Sequence, residues 1–373
     1  MIVGITPVRI SFAGGGTDMP EYYKKFGGNI ISSTISQFTY AIIQFRNDNS
    51  FQAFSPDFQK HYKPTAFNKI SIEDGTEIAS SVIKYLKYKN GLNVVLFSDV
   101  MAGKVFRLGE NGIVETVFEP GEFPSGLGFL DNGDMLVVAT ESREIVKVRK
   151  EAVLKGGASR LDSFRHADIS TPYDTGNNDM VVAQNGNAYA GAYIAGLSEE
   201  EPPGPHNPPQ FGHLVLARPD GSSEVVADRV CFPNGGAITA DGKTLIVAET
   251  FAFTLTAWDI NHDGTLSNRR PFANLAAPTD GISLDAEGCV WVACPYFSYG
   301  DSGGWVRVAD GGEIKQVIPL KDPDKSAYAC MLGGIDGRDL YLCESTVLGR
   351  ERFQGDGRVR KVRVEIPRAE NQF

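Results

Sequence analysis

"NVVLFSDVMAGKVFRLG", residues 93–109, decides the fold. Taken from the left, an apolar strand ends in Ser98-Asp99 and leads toward a glycine, as strands do before a phosphate-binding loop. Taken from the right, the strand ends at Asp99, turns through Ala102-Gly103 and returns as "KVFRL", one hairpin of a β-rich domain. The residues on either side separate the two readings.

C-terminal to this stretch the chain repeats itself. "SGLGFLDNGDMLVVAT", "NDMVVAQNGNAYAGAY", "NGGAITADGKTLIVAET", "DGISLDAEGCVWVACP" and "ACMLGGIDGRDLYLCES" share one register. Each has a short apolar strand, a turn with Gly second and another apolar strand. The turns Asn132-Gly133, Asn185-Gly186, Asp241-Gly242, Glu287-Gly288 and Asp336-Gly337 recur about every 50 residues. That is the length of four strands with their connections, the size of a propeller blade. "LNVVLFSD" and "KVFRL" supply part of a sixth. The fold expected is mainly β, a six-bladed β-propeller over residues 92–373 with an incomplete first blade.

The register also selects chemistry. Seven residues before each turn stand Ser125, Asn178, Asn234, Asp280 and Ala329. In a propeller this position begins the innermost strand, beside the central channel. Asn178, Asn234 and Asp280 are therefore aimed at one axial point, and oxygen donors of this kind suit a hard cation such as Ca²⁺ or Mg²⁺. Their alternative role is to cap strand entries; three in register favour a site. Loops after the second strands open on the same face and carry Phe251, Tyr296, Phe297 and Tyr299, with a proline-rich stretch at 202–209 readable as a lid.

Residues 1–91 have a different texture. "TPVRISFAGGGTD" is a strand running into glycines and "FTYAIIQFR" is a second strand. "TEIASSVIKYLKY" predicts a helix with Ile78, Val82, Ile83 and Leu86 on one face and Thr76 as its N-cap. This is a truncated α+β segment.

Composition narrows the partners. The formal charge of -10 argues against nucleic acid. No apolar run approaches the roughly 20 residues of a membrane span. The five cysteines, an odd number without a secretory leader, point to reduced thiols and a cytoplasmic location. No CxxC or HxxxH spacing makes them zinc ligands, so they read as small apolar residues of strands.

"PVRISFAGGGTDMPEYY" followed by "GGNIISSTIS" resembles the opening of the GHMP sugar kinases, especially those acting on heptose phosphates; the likeness covers about residues 1–99. It implies that Arg9 and the Gly14–Asp18 turn, with Gly15, Gly16 and Asp18, help hold a sugar. Such a kinase continues after Ser98-Asp99 with a phosphate-cradling Gly/Ser loop; here "VMAGKVFRLGENG" follows, which opposes phosphoryl transfer. About residues 99–373 resemble the gluconolactonase and senescence-marker-protein family of six-bladed propellers, through "SGLGFLDNGDMLVV", "NNDMVV", "CFPNGGAITADGKTLIVAE" and "TDGISLDAEGCVWVA".

That second resemblance implies Asn234 and Asp280 as metal ligands, Asn178 as a substrate or auxiliary metal contact and Asp280 as general base; the register and the rim loops add Ser125 and Tyr296 as substrate contacts. The cation is divalent, with Ca²⁺, Mg²⁺, Mn²⁺ and Zn²⁺ left open. Two departures stand out. The family's first-blade Glu ligand has Ile83 and Lys84 in its register here, and Gly176 stands where the family often has Arg. The function expected is metal-dependent hydrolysis of a sugar-type lactone, weakened by the missing Glu. A catalytically silent ligand-binding propeller is the alternative, and a heptose phosphate kinase is the less favoured one. The chain reads as a fusion at Ser98-Asp99, whether natural, constructed or a misread gene boundary. Two incomplete halves predict low stability.

Overall fold

In the computed structural model, residues Val95–Asp99 and Lys104–Leu108 pair antiparallel, with Val95 opposite Leu108 and Asp99 opposite Lys104. Gly103 N–H donates to the Val100 carbonyl at 3.2 Å, and Ala102 N–H donates to Asp99 Oδ1 at 2.9 Å. Asp99 thus caps a tight turn, and the Gly103-Lys104 pair belongs to a hairpin. The structure describes residues 2–13, 31–43, 50–55, 60–66, 95–100, 102–109, 112–171, 175–194, 211–296, 302–334, 336–346 and 357–369. The helix expected over 76–88, the motif residues Gly15, Gly16 and Asp18, and the 202–209 stretch lie outside them.

The chain divides into two units, Met1–Leu92 and Asn93–Phe373. In the first, β1 (Ile2–Ala13), which contains Arg9, pairs antiparallel with β2 (Ile31–Ile43). A second hairpin joins β3 (Ser50–Ser55) to β4 (Lys60–Ala66).

The second unit is a six-bladed propeller. Blade one orders β5 (Val95–Asp99), β6 (Lys104–Leu108) and β7 (Val114–Glu119), with the short β11 (Ala158–Ser159) alongside β7. Blade two is β8 (Pro124–Phe129), β9 (Met135–Ala139), β10 (Glu144–Val148) and β12 (Ser163–Asp168), with helix α1 (Lys150–Lys155) in the last connection. Blade three is β13 (Thr175–Val182), β14 (Ala188–Ile194), β15 (Gly212–Ala217) and β16 (Ser223–Val230). Blade four is β17 (Pro233–Ile238), β18 (Thr244–Glu249), β19 (Thr254–Ile260) and β20 (Leu266–Asn274). Blade five is β21 (Ile282–Leu284), β22 (Val290–Tyr296), β23 (Ser302–Val308) and β24 (Ile314–Pro319). Blade six holds β25 (Lys325–Gly333), β26 (Asp339–Thr346) and β27 (Arg358–Arg363). Among the described residues β5 is paired with β6 alone.

The two-residue period of the strands explains the ring. In β9, Met135, Val137 and Ala139 pack with Val105 and Phe118 of blade one. The alternate residues Leu136 and Val138 pack with Met180, Ala190 and Val215 of blade three. The same division recurs between blades three and four, four and five and five and six. A blade's middle strands are therefore apolar on both faces, and hydrophobic burial acts between blades rather than inside one. The glycines of the five repeated turns all have positive φ, from 72° to 87°, the left-handed position that closes hairpin loops of three or more residues built on a type I turn.

Cys294, Cys330 and Cys343 lie within strands, and Cys231 and Cys289 lie just before one; all five are free thiols. No described helix is long and apolar enough to cross a membrane.

Candidate functional site

The residues singled out by the repeat all sit where the innermost strands lose register. Pairing slips between Pro124 and Leu127 in blade two, around Ser125. It slips between Asn177 and Met180 in blade three, and between Pro233 and Gly236 in blade four, around Asn234. In blade five, Asp280 N–H donates to the Ala293 carbonyl at 2.9 Å, and Ala293 N–H donates to the Gly281 carbonyl at 3.0 Å, so two residues face one. Blade six slips between Ala327 and Ala329. A bulge turns a side chain out of the sheet's regular alternation, and here it does so at the channel entrance of five blades.

Small residues let these bulges nest. A β-carbon on Gly126 would lie 2.2 Å from the Met180 nitrogen, one on Gly235 2.6 Å from the Ile282 nitrogen, and one on Gly281 2.7 Å from the Ala329 α-carbon. Each glycine immediately follows a singled-out residue, so backbone contact carries each bulge to the next blade.

Polar contacts follow the same path. Ser125 Oγ donates to Asn178 Oδ1 at 3.0 Å. Asn178 Nδ2 reaches the Pro233 carbonyl at 3.5 Å. Asn234 Nδ2 donates to Thr250 Oγ1 at 3.2 Å, and the Asn234 amide lies close enough to the Asp280 carboxylate to favour its ionised form. Ser125, Asn178, Asn234 and Asp280 are thus linked across blades two to five. Ala329, the fifth position, offers no donor. The Tyr296 side chain, Phe297, Tyr299 and the positions Ile83 and Lys84 fall outside the described residues, as does the Arg9 side chain.

A further carboxylate stands here that the repeat did not single out. Asp179 follows Asn178 at the position occupied by glycine in blades two, four and five. Burial pushes its carboxyl up to about 6. Asp280 is raised well above the ordinary carboxylate range, first by burial and then by the charge of Asp179; the Gly281 N–H and the Asn234 amide oppose the rise. Both residues keep some exposed surface, so the desolvation comes from the protein packed around each carboxyl. Behind Asp280 the wall is thiol and backbone: Cys330 Sγ lies 3.6 Å from the Gly281 carbonyl, and burial raises the Cys294 thiol to about 12. Asn177, 1 % exposed, has neither amide atom hydrogen-bonded among the described residues.

Carboxylate and amide oxygens are the kind of donor a hard divalent cation takes. Asp179 lies near enough to raise Asp280 by its charge and the Asn234 amide lies beside the same carboxylate, while among the described residues no lysine or arginine forms an ion pair with Asp179 or Asp280. Buried like charges without a counter-charge are costly, and a bound cation removes that cost. Among the described residues no group of three or more His, Cys, Asp or Glu is placed to hold a metal ion, so any such ion depends on the asparagine oxygens.

Residues 87–346 match the family described as the SMP-30/Gluconolactonase/LRE-like region. Regucalcin of Oryctolagus cuniculus is 31% identical over 157 residues, which cover 41% of this chain and 50% of that protein. The chain spans about half the length of the curated relatives it matches. Among solved structures, a luciferin-regenerating enzyme superposes with a TM-score of 0.62 at 16% identity, covering 75% of this chain and 91% of that one. A calcium-binding regucalcin from Agrobacterium tumefaciens superposes with a TM-score of 0.59 at 14% identity, covering 76% and 90%. These superpositions carry the propeller fold.

Proposed function

Because the chain belongs to the SMP-30/Gluconolactonase/LRE-like family, we propose that its second unit hydrolyses a lactone of the sugar type at the channel entrance. The observation that supports this reading is the run of contacts along the bulges, in which Asn178 Nδ2 reaches the Pro233 carbonyl, next in the chain to Asn234, and the Asn234 amide lies beside the Asp280 carboxylate.

Asn178, Asn234 and Asp280 would hold a divalent cation, which polarises a carbonyl and makes bound water more acidic. Asp280 removes a proton from the attacking water as its oxygen bonds to the lactone carbonyl carbon. The ring C–O bond then breaks, and the leaving alkoxide takes the proton back from Asp280, giving an open hydroxy acid. In the metal-free site burial and the charge of Asp179 raise Asp280; a bound cation acts in the opposite direction and keeps the carboxylate ionised, as a base requires. The Asn234 amide orients the Asp280 carboxylate, and Ser125 orients Asn178.

Lactone turnover followed by acid release tests this reading. The expected result is loss of activity in Asp280→Ala and on chelation with EDTA, with recovery on adding Ca²⁺, Mg²⁺ or Mn²⁺. Turnover indifferent to both would refute it. The silent-propeller alternative draws on Ala329, which leaves blade six without a donor. Calorimetric titration with Ca²⁺ separates the two, since absence of binding favours the silent propeller. In this reading the chemistry belongs to residues 92–373. Residues 1–91 carry only a sequence resemblance to a sugar-kinase opening, and the hairpin at Asp99–Lys104 supports a reading without phosphoryl transfer.

A further inference from the structure

Gly176, where an arginine is expected, is covered by an aromatic ring. A β-carbon on Gly176 would lie 2.5 Å from both Cζ and Oη of Tyr193, its partner across the β13–β14 pair. The Tyr193 ring therefore fills the space that any side chain at 176 would need. On from it, the Phe232 ring is stacked on Tyr193 with centroids 5.1 Å apart. Phe251 meets Phe232 edge-on at 5.2 Å. All three rings are partly exposed.

These rings adjoin the polar site through the chain itself. Gly176 is two residues from Asn178, and Phe232 is two residues from Asn234, about 7 Å of extended chain in each case. Phe251 follows Thr250, whose hydroxyl accepts from Asn234. Phe232 is held in a left-handed conformation, φ 53°, which costs energy unless surrounding contacts maintain it. Stacking against Tyr193 and Phe251 supplies such contacts.

We propose that Tyr193, Phe232 and Phe251 form an apolar wall that determines specificity, selecting a neutral lactone with an apolar flank, such as an aryl-fused lactone, over a hydroxyl-rich or anionic one. The proposal rests on the lactonase reading above. A guanidinium at position 176 would offer several fixed donors to a hydroxylated or charged substrate. Aromatic rings offer dispersion and hydrophobic burial instead. The rings themselves give no charge to pair with an anionic substrate and no donor set for a hydroxyl-rich one.

The experiment uses the full chain with dihydrocoumarin and glucono-1,5-lactone as substrates, and with the lactam 3,4-dihydro-2-quinolinone as a probe that is not turned over. The wild type is expected to prefer dihydrocoumarin in kcat/KM by about tenfold or more, near the effect of losing one buried apolar contact. Tyr193→Ala should raise the lactam Kd about tenfold, while Tyr193→Phe, which keeps the ring, restores it. Urea midpoints measured in parallel identify any variant that has lost its fold, and Phe251→Ala then provides a second readout of the wall. A preference for glucono-1,5-lactone, or a lactam Kd unmoved by both alanine variants, overturns the proposal. If neither lactone is hydrolysed yet the lactam binds and Tyr193→Ala weakens it, the wall stands and the hydrolase reading falls. If the lactam does not bind the wild type, the wall falls whatever the turnover.

Discussion

Gly235 of blade four touches the backbone of Ile282 in blade five: a β-carbon at 235 would lie 2.6 Å from the Ile282 nitrogen and 2.9 Å from the Asp280 carbonyl oxygen. The contact sits directly beneath the Asn234–Asp280 pair. Neither neighbour is a flexible side-chain tip, so relief requires the blades to part. Gly235→Ala should cost about 1–3 kcal/mol, the usual range for overpacking. Because the same contact sets the spacing of Asn234 and Asp280, Ca²⁺ affinity should fall with it. Urea denaturation and calorimetric titration of the one variant check both, and wild-type values in both would show that the blades are not coupled here.

Asp179 supplies the second carboxylate of the opening. Cation sites of this type scale in affinity with the number of charged ligands near them. Asp179→Asn keeps shape and hydrogen-bonding capacity while removing one charge, so Ca²⁺ should bind about tenfold more weakly. Calorimetric titration at neutral pH measures it. An unchanged Kd would mean that Asp179 does not influence the cation.

His166 gives the fold a pH dependence of known sign. Its pKa is lowered from 6.5, first by burial and then by repulsion from Lys147, and its Nε2 has no hydrogen-bond partner among the described residues. The unfolded chain therefore binds a proton more readily than the folded one, so stability is complete above pH 6.5 and falls as pH drops below it. The raised carboxyl of Asp179 acts in the opposite direction. Comparison of wild type with His166→Phe isolates the histidine: urea midpoints from pH 7.5 to pH 5 should fall less steeply in the variant. Equal slopes would remove His166 from the account.

The thiols should be inert in the native state. Burial raises Cys231 and Cys343 to about 11 and Cys294 to about 12, and Cys330 rises as well. The nucleophilic thiolate is then scarce at neutral pH. Ellman's reagent at pH 8 should label the native protein slowly and all five cysteines promptly in denaturant. Prompt labelling of a native thiol would point to local opening of its blade.

The linear order of residues determined the blades, because hydrophobic alternation and turn glycines are local signals. A period of two along "MLVVA" is enough to assign Met135, Val137 and Ala139 to one neighbour and Leu136 and Val138 to the other, and this is how they pack. The same periodicity brought Ser125, Asn178, Asn234 and Asp280 into register. It could not single out Asp179, because which of two adjacent residues turns into the channel at a bulge depends on the strand opposite and the blade beside it. The only local trace was an aspartate where three other blades carry glycine. Nor could it show that Tyr193 covers Gly176, a contact set by pairing across two strands. Local pattern decides which face of a strand is apolar; the aim of a side chain at an irregularity is decided by contacts distant in sequence, which exist only once the ring has formed.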